Sequence, residues 1–417
     1  MRRVLHQQKS PDSVRERFVR LVYFSAALAL LSIPVASLGK QTYELGGYVG
    51  VELRVFREAP ADVFQMHQSG SILARPEFRA HWNSGRQAVV FSPFFRWDAA
   101  DGERTHWDLR EFYWERWGES WDLRVGVDRV FWGVMESQHL VDFINQTDLV
   151  ENLDAEEKLG QPMVNLNFRT DLGAFELFIL PGFRERTFPG QGGRLRTQPF
   201  VDTGEASYSS SRGRAHVDFA ARWSAVLGKW DVGLYQFYGT SRDPTLLPGI
   251  DSRGQAVLRP RYELVYQSGL DVQVTQANLI WKLEAIYRTG QGDSFVATSM
   301  GAEYTLVGVL GSVANVGLLA EYHFDSDGDG NALYFADDWF AGVRLSLNDA
   351  SSSELLMGVL VDRATQASLF SVEASRRFGD VWKAEFEARL FNDFELSEPL
   401  AQLQNDDYVQ FTVIRHF

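Results

Sequence analysis

The sequence predicts an all-β protein, a transmembrane antiparallel up-and-down β-barrel of about 18 strands. Three observations lead there. Apolar and polar residues alternate with period two in segment after segment, as in strands with one apolar and one polar face. The segments are joined by connections that are short and long in turn. Beyond the first 40 residues no stretch is uncharged over the roughly 20 positions a spanning helix needs, so any membrane crossing falls to strands.

The chain opens with Arg2, Arg3, Lys9, Arg15, Arg17 and Arg20, followed by an almost wholly apolar run from Leu21 to Leu31 that ends near Pro34, Val35, Ala36, Ser37 and Gly39. This is the layout of a secretory signal peptide with a long basic region, so residues 1–39 are expected to be the signal and residues 40–417 the barrel. The apolar run is too short for a spanning helix, and the lack of a following Cys excludes lipoprotein processing.

The first strand is then written plainly. Tyr43, Leu45, Val49, Val51, Leu53 and Val55 alternate with Glu44, Gly46, Tyr48, Gly50, Glu52 and Arg54, two sets that a helix would mix. The pattern recurs over residues 72–82, 89–97, 107–117, 121–129, 163–170, 175–181, 214–224, 230–239, 258–275, 279–289, 295–306, 313–325, 338–347, 355–362, 367–378 and 381–391. Short connections at 83–86, 118–120, 171–173, 227–229, 276–278, 349–352 and 379–380 alternate with long ones at 57–70, 130–162, 182–213, 240–257, 326–337 and 392–406. Connections at 99–105, 290–294 and 363–366 belong to the external set although they are short. A β-sandwich or β-helix does not account for this asymmetry. Neither a fixed repeat nor a Pro/Gly/Ser linker divides the chain, so one domain is expected.

The final segment, Tyr408 to Phe417, places Val409, Phe411, Val413 and Phe417 on one face and Gln410, Thr412 and His416 on the other. It resembles the terminal strand of Gram-negative outer-membrane barrels. The resemblance implies location in the outer membrane, contact with outer-membrane lipid, and reading of Phe417 as an assembly signal by the barrel assembly machinery. Arg415 departs from the apolar residue usual there.

Composition agrees. The 417 residues include 12 Trp, 14 Tyr and 30 Phe, enough for aromatic belts at both interfaces. The absence of Cys excludes disulfides, thiolate catalysis and Cys-ligated metals. A formal charge of −14, moving to −18 if six basic and two acidic residues leave with the leader, argues against nucleic acid as a partner. Aromatic residues toward lipid look the same as aromatic residues toward a neighbour, which leaves a homotrimer open.

Function depends on the inner face. Parity sends charges of both signs inward, many two residues from an opposite charge. Glu52 with Arg54, Arg75 with Glu77, Arg261 with Glu263, and Lys383, Glu385, Glu387 and Arg389 are expected to form ladders of charge on the lumen wall. Such ladders either brace a wet lumen or select what passes.

The third external connection, Val130 to Gly160, is too apolar for a loop that only faces water; Trp132, Val134, Met135, Leu140, Val141, Phe143, Ile144, Leu149, Val150 and Leu153 need cover. Its place in the order resembles the inward-folded loop of porins, and Trp132-Gly133 followed by Asp142-Phe-Ile-Asn145 and Asp148 resembles a motif of uncharacterised porin-like proteins, with Gln146 where Pro is expected. More broadly the chain resembles substrate-specific and alginate-export channels. If the loop folds inward, Glu136, Asp142, Asp148, Glu151, Asp154, Glu156 and Glu157 are expected to bring negative charge to a constriction facing Arg124, Arg169 and Arg222.

Asp325, Asp327 and Asp329 with Gly330 resemble the start of an EF-hand loop and make a candidate surface calcium site, although Ala336 stands where a bidentate Glu is needed. No other cofactor is expected. His216 with Asp218 and His323 with Glu321 share inner faces, but no nucleophile turn, oxyanion glycine motif or HExxH accompanies them, so no enzyme is expected. The sequence therefore predicts a porin-like channel for passive diffusion of small hydrophilic solutes or polar oligomers. The alternative is a closed receptor or structural barrel.

Overall fold

The computed structural model describes residues 41–327, 335–394 and 399–417; the leader lies outside them. Alternation becomes geometry in β1 (Thr42–Phe56), where Val49, Val51 and Leu53 are exposed on the outer face while Gly50, Glu52 and Arg54 are buried inside. The wall continues through β2 (Gln68–Trp82), β3 (Gln87–Asp98), β4 (His106–Trp117), β5 (Trp121–Asp128), β6 (Gln161–Thr170) and β7 (Gly173–Pro181). After β8 (Ser207–Tyr208) it resumes with β9 (Val217–Leu227) and β10 (Trp230–Thr240). β11 (Thr245–Ile250) and β12 (Ala256–Tyr262) intervene before β13 (Leu264–Gln276), β14 (Leu279–Thr289), β15 (Phe295–Leu306), β16 (Asn315–Asp325) and β17 (Asp337–Ser346). β18 (Glu354–Asp362), β19 (Ser368–Phe378), β20 (Trp382–Asn392) and β21 (Tyr408–His416) complete the set.

Eighteen of these form one antiparallel sheet, and pairing of β21 with both β20 and β1 closes it, Tyr48 facing His416. Closure leaves the barrel without a free edge. The outer face carries Leu45, Phe95, Trp97, Ile179, Trp281, Trp339 and Phe411, all exposed. No helix among the described residues is long and apolar enough to cross a membrane.

One expected strand divides. The run 258–275 alternates without interruption in sequence, yet its first part, β12, leaves the wall and pairs with β11 and, in parallel, with β8 in a separate three-stranded sheet at the long-loop end. Pro260 lacks the N–H that a central wall strand needs, and opposite Leu246 in the small sheet it can do without one. Arg261 and Glu263 therefore pair with each other at 3.2 Å on this outer sheet and are not part of the lumen ladder. Arg214 likewise precedes β9, in a short 3-10 turn, and bonds Glu185.

The third connection, residues 129–160 and called the third loop below, folds into the barrel. Trp132, Leu140, Val141, Phe143 and Ile144 are buried with the inward-facing Met163, Phe178, Leu180, Tyr235, Phe237, Val265, Ile286, Phe295 and Ala297 of β6, β7, β10 and β13–β15. Half of the wall thus presents an apolar inner surface because the loop covers it.

Candidate pore and its constriction

The third loop is shaped locally before it meets the wall. The Asn145 side chain donates to the carbonyls of Asp128 and Leu159, both at 2.8 Å, and accepts from the Val130 N–H, drawing the neck of the loop together. Asp148 N–H to Glu157 O and Leu159 N–H to Gln146 O, each 2.8 Å, fold its second half into a small hairpin. Trp132 then inserts between Phe178 and Tyr235, at ring separations of 5.6 and 5.2 Å, with the Arg222 guanidinium 4.9 Å from its own ring. A cation over a desolvated indole adds to the packing.

Wall carboxylates hold the loop by its backbone. Glu284 on β14 accepts the N–H groups of Val134, Met135 and Val141 at 2.6, 3.1 and 3.2 Å. Glu321 on β16 accepts those of Glu136 and Ser137 at 2.8 and 3.0 Å, and the Ser137 hydroxyl at 2.6 Å. His323 lies 2.7 Å from the same hydroxyl and 2.8 Å from that of Ser299. These donors would be unsatisfied in a buried loop, so each carboxylate meets a need that side-chain packing cannot.

This assembly explains His323 and Glu321, which shared a face in the sequence. Ser137, His323 and Ser299 form a chain of hydrogen bonds resembling a nucleophile relay. The N–H groups of Glu136 and Ser137 that could stabilise an oxyanion are instead spent on a carboxylate, whose charge would oppose one. His216 lies 2.8 Å from Asp218, which also receives Arg242 at 2.6 Å, so that pair is likewise a brace.

The candidate constriction residues take the following places. Glu136 pairs with Arg344 on β17. Asp142 accepts from the Trp132 N–H at 3.3 Å and faces Lys158 at 3.2 Å. Asp148 is fully buried between Arg110 at 2.6 Å, Thr187 at 2.6 Å and His106 at 3.3 Å. Burial opposes its charge, yet His106 and Arg110 hold its carboxyl well below the usual carboxylate range. Glu151 meets Arg96 at 2.6 Å. The three arginines picked to face these acids pair elsewhere. Arg124 bonds Asp128 and Glu115, Arg169 bonds Asp122 at 2.7 Å beside a short turn, and Arg222 bonds Asp271 at 2.8 Å. Parity put them on the inner face without giving their height in the barrel. The partners that meet the loop acids are Arg96, Arg110, Arg344 and Arg389.

The ladder is found in part. Arg75 meets Glu77 at 3.3 Å and Glu111 at 3.1 Å. Lys383 meets Glu385 at 2.7 Å, and Arg389 meets Glu387 at 2.8 Å. Glu52 pairs with Arg96 and Arg104 at 3.0 and 2.7 Å, whereas Arg54 bonds Gln410 at 2.8 Å and stacks on Tyr408. The Glu52 bridges, with every partner buried, are expensive to desolvate and are held by geometry, so losing one partner there is the costly event.

His106, Asp148 and Glu151 come close enough to hold a metal ion, but the guanidinium groups of Arg96 and Arg110 already occupy those carboxylates. At the candidate calcium turn the Asp327 N–H donates to Asp325 at 2.8 Å, and Asp329 lies outside the described residues.

A closed 18-stranded antiparallel barrel with one loop folded into its lumen is the architecture of a porin. Among solved structures the chain is similar to a BenF-like porin from Pseudomonas fluorescens Pf-5, with a TM-score of 0.53 and 9% identity over 91% of this chain and 98% of that one. It is also similar to Pseudomonas aeruginosa OpdQ, with a TM-score of 0.52 and 11% identity over 91% and 98%, and to OccK11 (OpdR) of the same organism at 0.51 and 9% over 90% and 96%. At these identities the likeness is one of fold. No family model and no curated protein matches the chain.

Proposed function

We propose that the protein is an outer-membrane porin-like channel of a Gram-negative bacterium, through which small hydrophilic solutes or polar oligomers diffuse passively. The observation that carries this is the third loop, fixed by wall carboxylates inside a closed barrel so that it covers one half of the wall and narrows the lumen. A scaffold has no need of a loop set at that depth. Residues 1–39 act as the export signal, and the exposed Phe417 is read by the assembly machinery in this account. A homotrimer and surface calcium at Asp325, Asp327 and Asp329 are further parts of the proposal, checked by cross-linking in native membranes and by calcium titration of the refolded protein.

The second reading, a closed receptor or structural barrel, is favoured by loop contacts that reach opposite walls, from Arg96 on β3 to Glu284 on β14. Neither reading assigns catalysis. Planar-bilayer recording separates them, comparing the refolded protein with a form lacking residues 134–157. Steady openings whose conductance rises on deletion support the channel, whereas silence in both forms overturns it.

A further inference from the structure

The loop does not fill the lumen evenly. On the half it covers, inward-facing side chains such as Tyr235, Val265, Ile286 and Phe295 are all but inaccessible. On β17–β20 the inward-facing Arg344, Glu373 and Glu385 meet solvent, at 36%, 43% and 36% exposure, whereas Phe340, Leu360 and Phe391 of the same strands are buried. The space beside that part of β17–β20 is therefore open to solvent.

Two ion pairs cross from the loop to this wall. Glu136 reaches Arg344 on β17, and Asp154 reaches Arg389 on β20 at 2.8 Å, with Asn152 bonded to Glu387 at 3.2 Å. The register shows that these anchors frame one row. Arg344 stands opposite Leu356, Leu356 opposite Glu373, and Glu373 opposite Glu387. Of that row Leu356 and Glu373 lie between the struts, Glu373 itself 3.1 Å from Arg389, and the loop carboxylate of Glu156 lies near Glu373.

We propose that the solute path is the gap between loop residues 136–156 and the β17–β20 wall, and that Glu156 makes this gap selective for cations. The inference rests on the channel reading above. Facing the gap are the carboxylates of Glu136, Asp154, Glu156, Glu373 and Glu387, and the guanidinium groups of Arg344, Arg389 and Arg54. Acids outnumber bases there, although the barrel wall elsewhere is close to balanced. Arg344 and Arg389 are held by neighbouring carboxylates and Arg54 by Gln410 and the Tyr408 ring, while the Glu156 side chain has no hydrogen-bond or ion-pair partner among the described residues and is exposed. Solvent reaches Glu156, yet the barrel surrounds it. This confinement, and then the charges of Asp154 and Glu373, raise its carboxyl to about 7. Glu156 is therefore ionised above neutrality and loses its charge as pH falls, so cation selectivity weakens toward acid.

Reversal potentials of the refolded full barrel in a potassium chloride gradient, at pH 8 and pH 5.5, test this for the parent, for Glu156→Gln and Glu373→Gln, and for Asp293→Asn in an exposed loop. The expected parent prefers potassium at pH 8, and the preference falls roughly two- to fivefold at pH 5.5, the scale of one charge in a wet pore. Glu156→Gln should show the reduced preference at both pH values, Glu373→Gln a reduced preference that still responds to pH, and Asp293→Asn no change. Open channels that prefer chloride, or whose selectivity ignores Glu156→Gln, overturn the assignment while leaving the channel reading intact. Absence of conductance in every form overturns both.

Discussion

Glu284 shows how one residue can set the position of thirty others. It replaces the water that three loop N–H groups would otherwise bind, in a place water cannot easily reach. Exchange for Leu keeps the bulk but removes every acceptor, at a cost of about 1–3 kcal/mol for each donor left unsatisfied. The Glu284→Leu barrel should still form, with a loosened loop seen as frequent brief closures in single-channel traces and faster protease cleavage between residues 134 and 141. Glu156 predicts an effect of opposite sign on stability. A carboxyl raised in the folded state is costly to ionise there, so stability falls as pH rises from the ordinary Glu range to about 7 and stays lower beyond. Glu156→Gln should therefore raise the urea midpoint at pH 8 and leave it unchanged at pH 4. The sequence placed Glu156 among the acids of the constriction but not its lack of a partner, and the role of Glu284 was not legible at all. A carboxylate that serves backbone N–H groups some 150 positions away leaves no periodic trace, and the free state of Glu156 follows from how its neighbours pair.

Elements were easier to read, because period two survives any barrel tilt. The strand that divided at Glu263 kept its alternation on both sides of the break, and Pro260 was the one mark against a continuous wall strand. The covered half of the lumen also left a sign. β7 is apolar on both faces, with Leu177 and Ile179 outside and Phe178 and Leu180 inside, which an inner face open to water would not tolerate. On the open half a different fit appears. Phe340 of β17 lies across Gly358 of β18, where an added methyl carbon would stand 2.4 Å from the ring. Gly358→Ala should push that ring toward the lumen, cost about 1–3 kcal/mol in overpacking, and lower the conductance. Unchanged conductance with an unchanged thermal midpoint would show that the ring has room to move.

For the whole molecule, closure is the property on which the rest depends. Among the described residues, β21 is the strand that joins β20 to β1. Removing residues 408–417 opens two edges and takes away the Tyr408 ring that packs with Phe56 and Arg54. Such a chain should fail to give the fast-migrating unheated band by which folded barrels are recognised on gels, whereas Phe417→Ala should refold in detergent. The strand count and loop asymmetry were available from sequence because each follows from local pattern. Which arginine meets which acid was not, since that depends on shear between strands, and a one-residue change in height gives every lumen charge a new neighbour.

Residues 134–141 of the third loop are tied to the wall through their main chain, which has a bearing on change. Amide groups are the same whatever side chain follows them, so Glu136 or Gln138 can be exchanged without removing the contacts to Glu321 and Glu284 that set the loop's depth. The address is written in the wall, and the lettering that passing solutes meet can be revised separately. A library over positions 138 and 156, which carry neither strut, would thus vary permeation within a conserved frame, and new preferences could arise there without the barrel having to be folded anew.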